Sequence, residues 1–237
     1  MLGQFLEFSI STGSLGPEHQ FYRSLGFQEL PAGDVLDAPY VALWDGTVTV
    51  GLHTAEFEGT KLTFVRPELD VHLRALKRLK VEFESVHTAD DEFNYARFVD
   101  PNGQLVELVE ARTHSPAVRE TSSVSACGSF LEYSLPTSSV AESRAFWEPL
   151  GFMLAAAGED PHPWARLSGH GIAIGLHELA FGPGLSFVCP DFSARKEYLT
   201  AKGIVPAPRA AFAVGRGRST RIRSPGGSEL YLFEAED

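Results

Sequence analysis

Residues 5–10 read FLEFSI and residues 130–135 read FLEYSL, an offset of 125. FYRSLGF at 21–27 returns as FWEPLGF at 146–152, again at 125. Gly51-Leu52-His53 returns as Gly175-Leu176-His177, and Asp100-Pro101-Asn102-Gly103 as Ser224-Pro225-Gly226-Gly227, both at 124. Four blocks keep their order with one residue lost between the second and third, which makes this an internal duplication. Residues 114–127, HSPAVRETSSVSAC, are rich in Ser and Thr and lack apolar periodicity, so they read as a linker. The expected units are then 1–113 and 128–237.

Within each half the elements follow a fixed order. Phe5–Ser11 alternates like a strand, and Pro17–Leu25 reads as a short helix with Gly26 just past its end. Strands are expected at Phe27–Leu30, Tyr40–Trp44 and Val48–His53, the last two hinged on Asp45-Gly46. A strand at Leu62–Val65 and a helix at Leu69–Lys80, with Leu69, Leu73, Leu76 and Leu79 on one face, come next. Strands at Phe83–His87, Tyr95–Val99 and Leu105–Val109 close the half. The expected class is α+β, with four βαβββ modules in the chain.

Composition narrows the partners. With 43% hydrophobic and 22% charged residues among 237, the chain has enough apolar material for real cores. Its net charge of −11 disfavours nucleic acid and anionic membranes, and no apolar run is long enough for a membrane span. Cys127 and Cys189 lack metal-knuckle spacing and read as reduced thiols, so the expected location is cytoplasmic. Arg209, Arg216, Arg218, Arg221 and Arg223 form the one basic stretch; without a Walker motif it reads as a solvated loop, with an anion-binding rim as the alternative.

The element order, with FYRSLGF after the first helix and DPNGQLVELVE before the end of the half, resembles the vicinal oxygen chelate superfamily. Glyoxalase I, the extradiol dioxygenases and the bleomycin-resistance proteins are members. The resemblance implies two tandem glyoxalase-like domains, each pairing two modules into a cupped sheet. In its enzymes a divalent metal sits in the cup on side chains from the first, fourth, fifth and eighth strands. Glu107 falls on the last-strand glutamate ligand, whereas the other positions fall on Phe5, about Gly51 and about Lys61. In the second half the matching positions hold Phe130, Gly184 and Tyr231.

Residues two apart in a strand share a face, which groups Glu7 with Phe5 and His53 with Gly51. Glu7, His53 and Glu107 would then meet in the first cup as a ligand set for one divalent metal: zinc, nickel, manganese or ferrous iron. Glu132 and His177 repeat two of the three in the second half. The plain alternative is that each Glu–His couple is a buried hydrogen-bonded pair that needs no metal. Phe5, Tyr40, Trp44, Phe130, Trp164 and Tyr231, with Glu132 and His177, are the candidate ligand contacts. His72 and His87 read as solvated.

Two functions follow. The first is a small-molecule binder similar to the bleomycin-resistance proteins, monomeric or homodimeric. The second is a metal-dependent lyase or dioxygenase in the first cup, with Glu107 as the catalytic carboxylate and the metal as Lewis acid.

Overall fold

The computed structural model describes residues 1–31, 39–54, 57, 59–89, 93–111, 125–210, 212 and 217–235. Most of the expected linker therefore lies outside the described residues. In the first half, β1 (Gln4–Ser11) leads to α1 (Leu15–Ser24), then β2 (Gln28–Leu30), β3 (Tyr40–Trp44) and β4 (Thr49–His53). The motif repeats as β5 (Thr60–Arg66), α2 (Leu69–Arg78), β6 (Phe83–His87), β7 (Tyr95–Val99) and β8 (Leu105–Glu110). These strands form one eight-stranded sheet in the order β2-β3-β4-β1-β5-β8-β7-β6. The two βαβββ modules meet where β1 runs antiparallel to β5, and each module closes on a parallel pair, β1 with β4 and β5 with β8.

The second half copies this plan. It comprises β9 (Ser129–Pro136), α3 (Val140–Trp147), β10 (Met153–Gly158), β11 (Trp164–Gly169), β12 (Ile172–His177), β13 (Gly184–Cys189), α4 (Phe192–Ala201), β14 (Ser219–Arg223) and β15 (Glu229–Glu234). Seven strands are described here, in the order β10-β11-β12-β9-β13-β15-β14, and the counterpart of β6 is not among them. The architecture is the expected α+β pair of cupped sheets.

Strand alternation gives each sheet one apolar and one polar face. In the first sheet Phe8, Ile10, Val50, Leu52, Leu62, Phe64, Val106 and Leu108 are buried on the apolar side. Helix α2 buries Leu69, Leu73 and Leu76, and α1 buries Phe21 and Tyr22. One contiguous core runs through both halves, and Phe8 joins them by meeting Tyr133 at 4.7 Å and Phe130 at 6.1 Å between ring centroids.

Two reciprocal contacts lock the halves together. The turn after β7 reaches α3, where Trp147 Nε1 donates to Asp100 (3.3 Å) and Asn102 Nδ2 donates to Ser143 Oγ (2.8 Å). The equivalent turn after β14 reaches α1, where Glu18 accepts from Ser224 Oγ (3.0 Å) and from the Gly226 backbone N–H. Thus the repeated Asp100–Asn102 and Ser224–Gly226 turns are the mutual fasteners of the two copies. Ser125–Cys127, read from sequence as the end of the linker, is docked instead: Ala126 N donates to Leu25 O at 2.6 Å, and Ser125 and Cys127 are buried.

Candidate functional site

The polar face of the first sheet carries a row of side chains across six strands. Register defines it: Tyr40 pairs with His53, Ser9 with Gly51, Glu7 with Thr63, Thr63 with Glu107, and Glu107 with Arg97. Lys61 shares the face of Thr63, and Tyr95 that of Arg97, because each lies two residues along the same strand.

At one end of the row the Glu7 carboxylate is buried and accepts three hydrogen bonds. His53 Nε2 and Ser9 Oγ each donate to Oε1 at 2.6 Å, and the Tyr40 hydroxyl donates to Oε2. Ser9 is in turn 2.7 Å from Thr63 Oγ1. Burial by itself pushes the Glu7 carboxyl up, but the His53 hydrogen bond and charge, then Ser9 and Tyr40, outweigh it and hold it below its ordinary range. Burial and the Glu7 charge push the Tyr40 phenol up, so it stays a donor. The carboxylate has room because Gly51 lies beneath it; a Cβ there would overlap the carboxylate atoms.

Glu107 occupies the other end. Lys61 Nζ donates to Oε2, and Arg97 Nε donates to Oε1 at 2.6 Å. Two cations thus face one carboxylate, leaving a local surplus of one positive charge. The Lys61 ammonium lies 4.6 Å from the Phe57 ring centroid, and the Arg97 guanidinium 4.8 Å from that of Tyr95. His87 stacks on Tyr95 at 5.7 Å.

The second sheet keeps the first end and replaces the other. Glu132 accepts from His177 Nε2 (2.7 Å), Arg166 Nε (2.6 Å) and Ser134 Oγ (3.0 Å), and Gly175 gives its carboxylate the same clearance. Burial opposes ionisation, and His177 and Arg166 overcome it, so the Glu132 carboxyl also lies low. At the Glu107 position Tyr231 is fully buried and donates to Gly182 O at 2.6 Å. Its ring packs on Phe212 (4.8 Å) and Phe181 (5.9 Å), and both of these pack on His177. The second cup is filled by its own aromatic side chains.

The structure joins Glu7 to His53 and Glu132 to His177. It keeps Glu107 apart from Glu7, across Thr63, and among the described residues no three His, Cys, Asp or Glu side chains are grouped to hold a metal ion. Nor does the donor set fit a divalent ion: both carboxylates already accept from protein donors, and a metal at Glu107 would meet the Lys61 and Arg97 charges. Phe5 and Phe130 do not line the cups. A bulge between Phe5 and Glu7 breaks the alternation, so Phe5 packs on Phe8 (4.8 Å) and Phe64 (5.6 Å) in the core. Phe130 sits beyond the matching irregularity of β9 and packs on Phe187 at 5.8 Å. Tyr40 serves Glu7, Trp44 is half-buried at the far end of β3, and Trp164 lies 5.9 Å from the Arg166 guanidinium.

Sequence reasoning missed Lys61, Arg97 and Tyr95 as site residues, and Arg166 as the partner of Glu132. The signal was present in part: a step of two from Thr63 reaches Lys61 and a step of two joins Tyr95 to Arg97, whereas placing Arg97 beside Glu107 takes the strand register.

No family model and no curated protein matches the chain. Solved structures do. The 2,3-dioxygenase LapB from Pseudomonas sp. KL28 is 17% identical with a TM-score of 0.64, the match covering 99% of this chain and 92% of that one. An extradiol ring-cleaving dioxygenase from B. fuscum is 16% identical with a TM-score of 0.66, covering 99% and 72%. The Mn(II)-bound glyoxalase from Novosphingobium aromaticivorans is 15% identical with a TM-score of 0.60, covering 98% and 81%. At these identities the likeness establishes the fold alone, one shared with these dioxygenases and this glyoxalase, and chemistry has to be argued from the side chains.

Proposed function

We propose that the first cup binds a small molecule carrying an anionic oxygen, and that the protein is a binder of such ligands without a resident metal. The observation that carries this reading is the unspent donor capacity of Lys61 and Arg97. The buried Lys61 ammonium spends one recorded hydrogen bond on Glu107, and Arg97 spends its Nε, leaving two N–H groups of Lys61 and both terminal amino groups of Arg97 without a partner among the described residues. Lys61 is buried, so its remaining donors need acceptors, whereas Arg97 is half-exposed and keeps its terminal amino groups open to solvent or to a ligand. An arginine fork beside an ammonium suits a carboxylate or phenolate, and Tyr95 and Phe57, which pack on the two cations, border it with apolar surface.

The test is calorimetric titration of benzoate and 4-nitrobenzoate into the wild type, Lys61→Met and Arg97→Met. Charged hydrogen bonds of about 1.5–3 kcal/mol correspond to roughly a 10- to 100-fold loss of affinity in each variant. Equal affinities in all three proteins, or no saturable binding of either anion, would overturn the reading. Elemental analysis of untagged, chelator-free protein is the companion measurement. One divalent metal per chain, lost in Glu107→Gln, would put the lyase or dioxygenase reading in its place.

A further inference from the structure

The duplicated Glu–His couple provides an internal comparison. In the second copy His177 is spent on both sides: Nε2 binds Glu132 at 2.7 Å, and Nδ1 lies 3.0 Å from His162 Nε2. Its side chain is 2% exposed. In the first copy His53 Nε2 binds Glu7 at 2.6 Å, but Nδ1 has no hydrogen-bond partner among the described residues, and 15% of the side chain is exposed. The same couple is sealed in one cup and open in the other.

Hydrogen-bond accounting fixes the tautomer. Glu7 already accepts from Ser9 and Tyr40, and its carboxyl is held in the ionised form, so it offers His53 only lone pairs. Nε2 must therefore donate, and in the neutral ring Nδ1 carries the free lone pair. A buried carboxylate that orients an imidazole with its second nitrogen open is the arrangement of a positioned base. The anion-binding end adjoins His53 through Phe57, whose centroid lies 5.9 Å from the His53 ring and 4.6 Å from Lys61 Nζ.

We propose that His53 is a general base, positioned by Glu7, that removes a proton from a carbon acid whose developing negative charge falls on an oxygen held by Lys61 and Arg97. This rests on the reading of the first cup as an anion site and adds chemistry to it. Nδ1 takes the proton, the C–H electron pair forms a carbon–carbon double bond, and the carbonyl π pair moves onto the oxygen as an enolate. Return of the proton from the imidazolium to carbon completes an isomerisation or exchange without an external oxidant or co-reactant. The substrate class is a small carbonyl or carboxylate compound with an acidic adjacent C–H.

The probe is 5-nitrobenzisoxazole, whose ring opens when a base removes its C–H proton. The C–H pair forms the nitrile, the N–O bond breaks, and the oxygen leaves as the coloured 2-cyano-4-nitrophenolate. The full chain should turn it over saturably, with kcat/KM falling about 100-fold in His53→Gln and staying at the wild-type value in His177→Gln. Glu7 acts through His53, so Glu7→Gln is read by the 15N shifts of the His53 ring, which should change from a single Nε2–H tautomer to a mixture. Equal turnover in wild type and His53→Gln, or a protonated Nδ1 in the neutral wild-type ring, would overturn the proposal. Benzoate binding without His53-dependent turnover sinks the base and leaves the anion cup; His53-dependent turnover without benzoate binding does the reverse.

Discussion

Replacing Gly51 by Ala separates two opposed effects of known sign. On backbone grounds alone the change in a strand stabilises by about 0.4–1 kcal/mol, because it restricts the unfolded chain. Gly51 does not sit in the left-handed region, so no backbone strain enters. Against this, the new Cβ would occupy the space of the Glu7 carboxylate, which is buried and bound to His53, Ser9 and Tyr40. Overpacking costs about 1–3 kcal/mol. Moving a carboxylate off even one charged hydrogen bond adds about 1.5–3 kcal/mol. The net expectation is a loss of about 2–5 kcal/mol, which lowers the melting temperature by about 2–4 °C per kcal/mol for a chain of this size. Urea unfolding of Gly51→Ala, Glu7→Ala and the double variant isolates the cause. In the Glu7→Ala background Gly51→Ala should turn neutral or stabilising, since nothing then occupies the space. A cost that persists there would refute the account.

Other perturbations test other parts of the molecule. The Glu7 and Glu132 carboxyls are held below their ordinary value of 4.5, so the unfolded chain binds more protons than the folded one in acid. The stability these groups contribute is complete above about pH 4.5 and is lost as pH falls through the lower folded values; Glu132→Gln should flatten that acid limb in urea titrations from pH 6 to 3. Burial pushes both thiols up, that of Cys189 to about 11, so Ellman's reagent should label neither until the protein unfolds. Trp147→Phe removes the indole donor to buried Asp100 and leaves a smaller ring in a fully buried site, which should cost at least about 1–3 kcal/mol in urea unfolding.

The fold was legible because its signals are local and repeated. Period-two alternation and the Leu69/Leu73/Leu76 stripe located the strands and helices to within a residue or two, and four matched blocks revealed two copies. The candidate site was legible only where residues sit a short step from a motif. Glu7 with His53, and Glu132 with His177, followed from face-sharing along parallel strands. Phe5 and Phe130 were misplaced because a bulge adds one residue and reverses the face, and nothing in FLEF or FLEY marks it. The partners of Glu107 were missed for a different reason. Lys61 and Arg97 come from strands that lie 46 and 10 residues away in sequence, and only register brings them to one carboxylate. Docking of Ser125–Cys127 was likewise invisible, since small polar residues read the same in a linker and in a packed turn.

The divergence of the two cups follows from one paired exchange. Lys61 and Glu107 in the first copy correspond to Gly184 and Tyr231 in the second. At Gly184 a Cβ would overlap the Glu229 carbonyl oxygen and come within 2.9 Å of the Tyr231 ring, so backbone and phenol together take the space that a longer side chain would need. Either half of the exchange alone is costly in the first cup. Lys61→Gly removes one of the two cations on buried Glu107, and Glu107→Tyr leaves a buried ammonium without its anion; breaking such a pair costs about 3–5 kcal/mol. Together they remove both charges and supply a ring to fill the gap, and the half-exposed Arg97 turns to solvent. The double variant Lys61→Gly/Glu107→Tyr should therefore be more stable than the sum of the singles predicts, with a coupling of about 2–3 kcal/mol in urea unfolding. It should also lose benzoate binding, as a cup closed like the second one would. Additive costs would mean that the two positions do not share one space, and that the aromatic plug of the second cup arose from Phe181 and Phe212 rather than from this exchange.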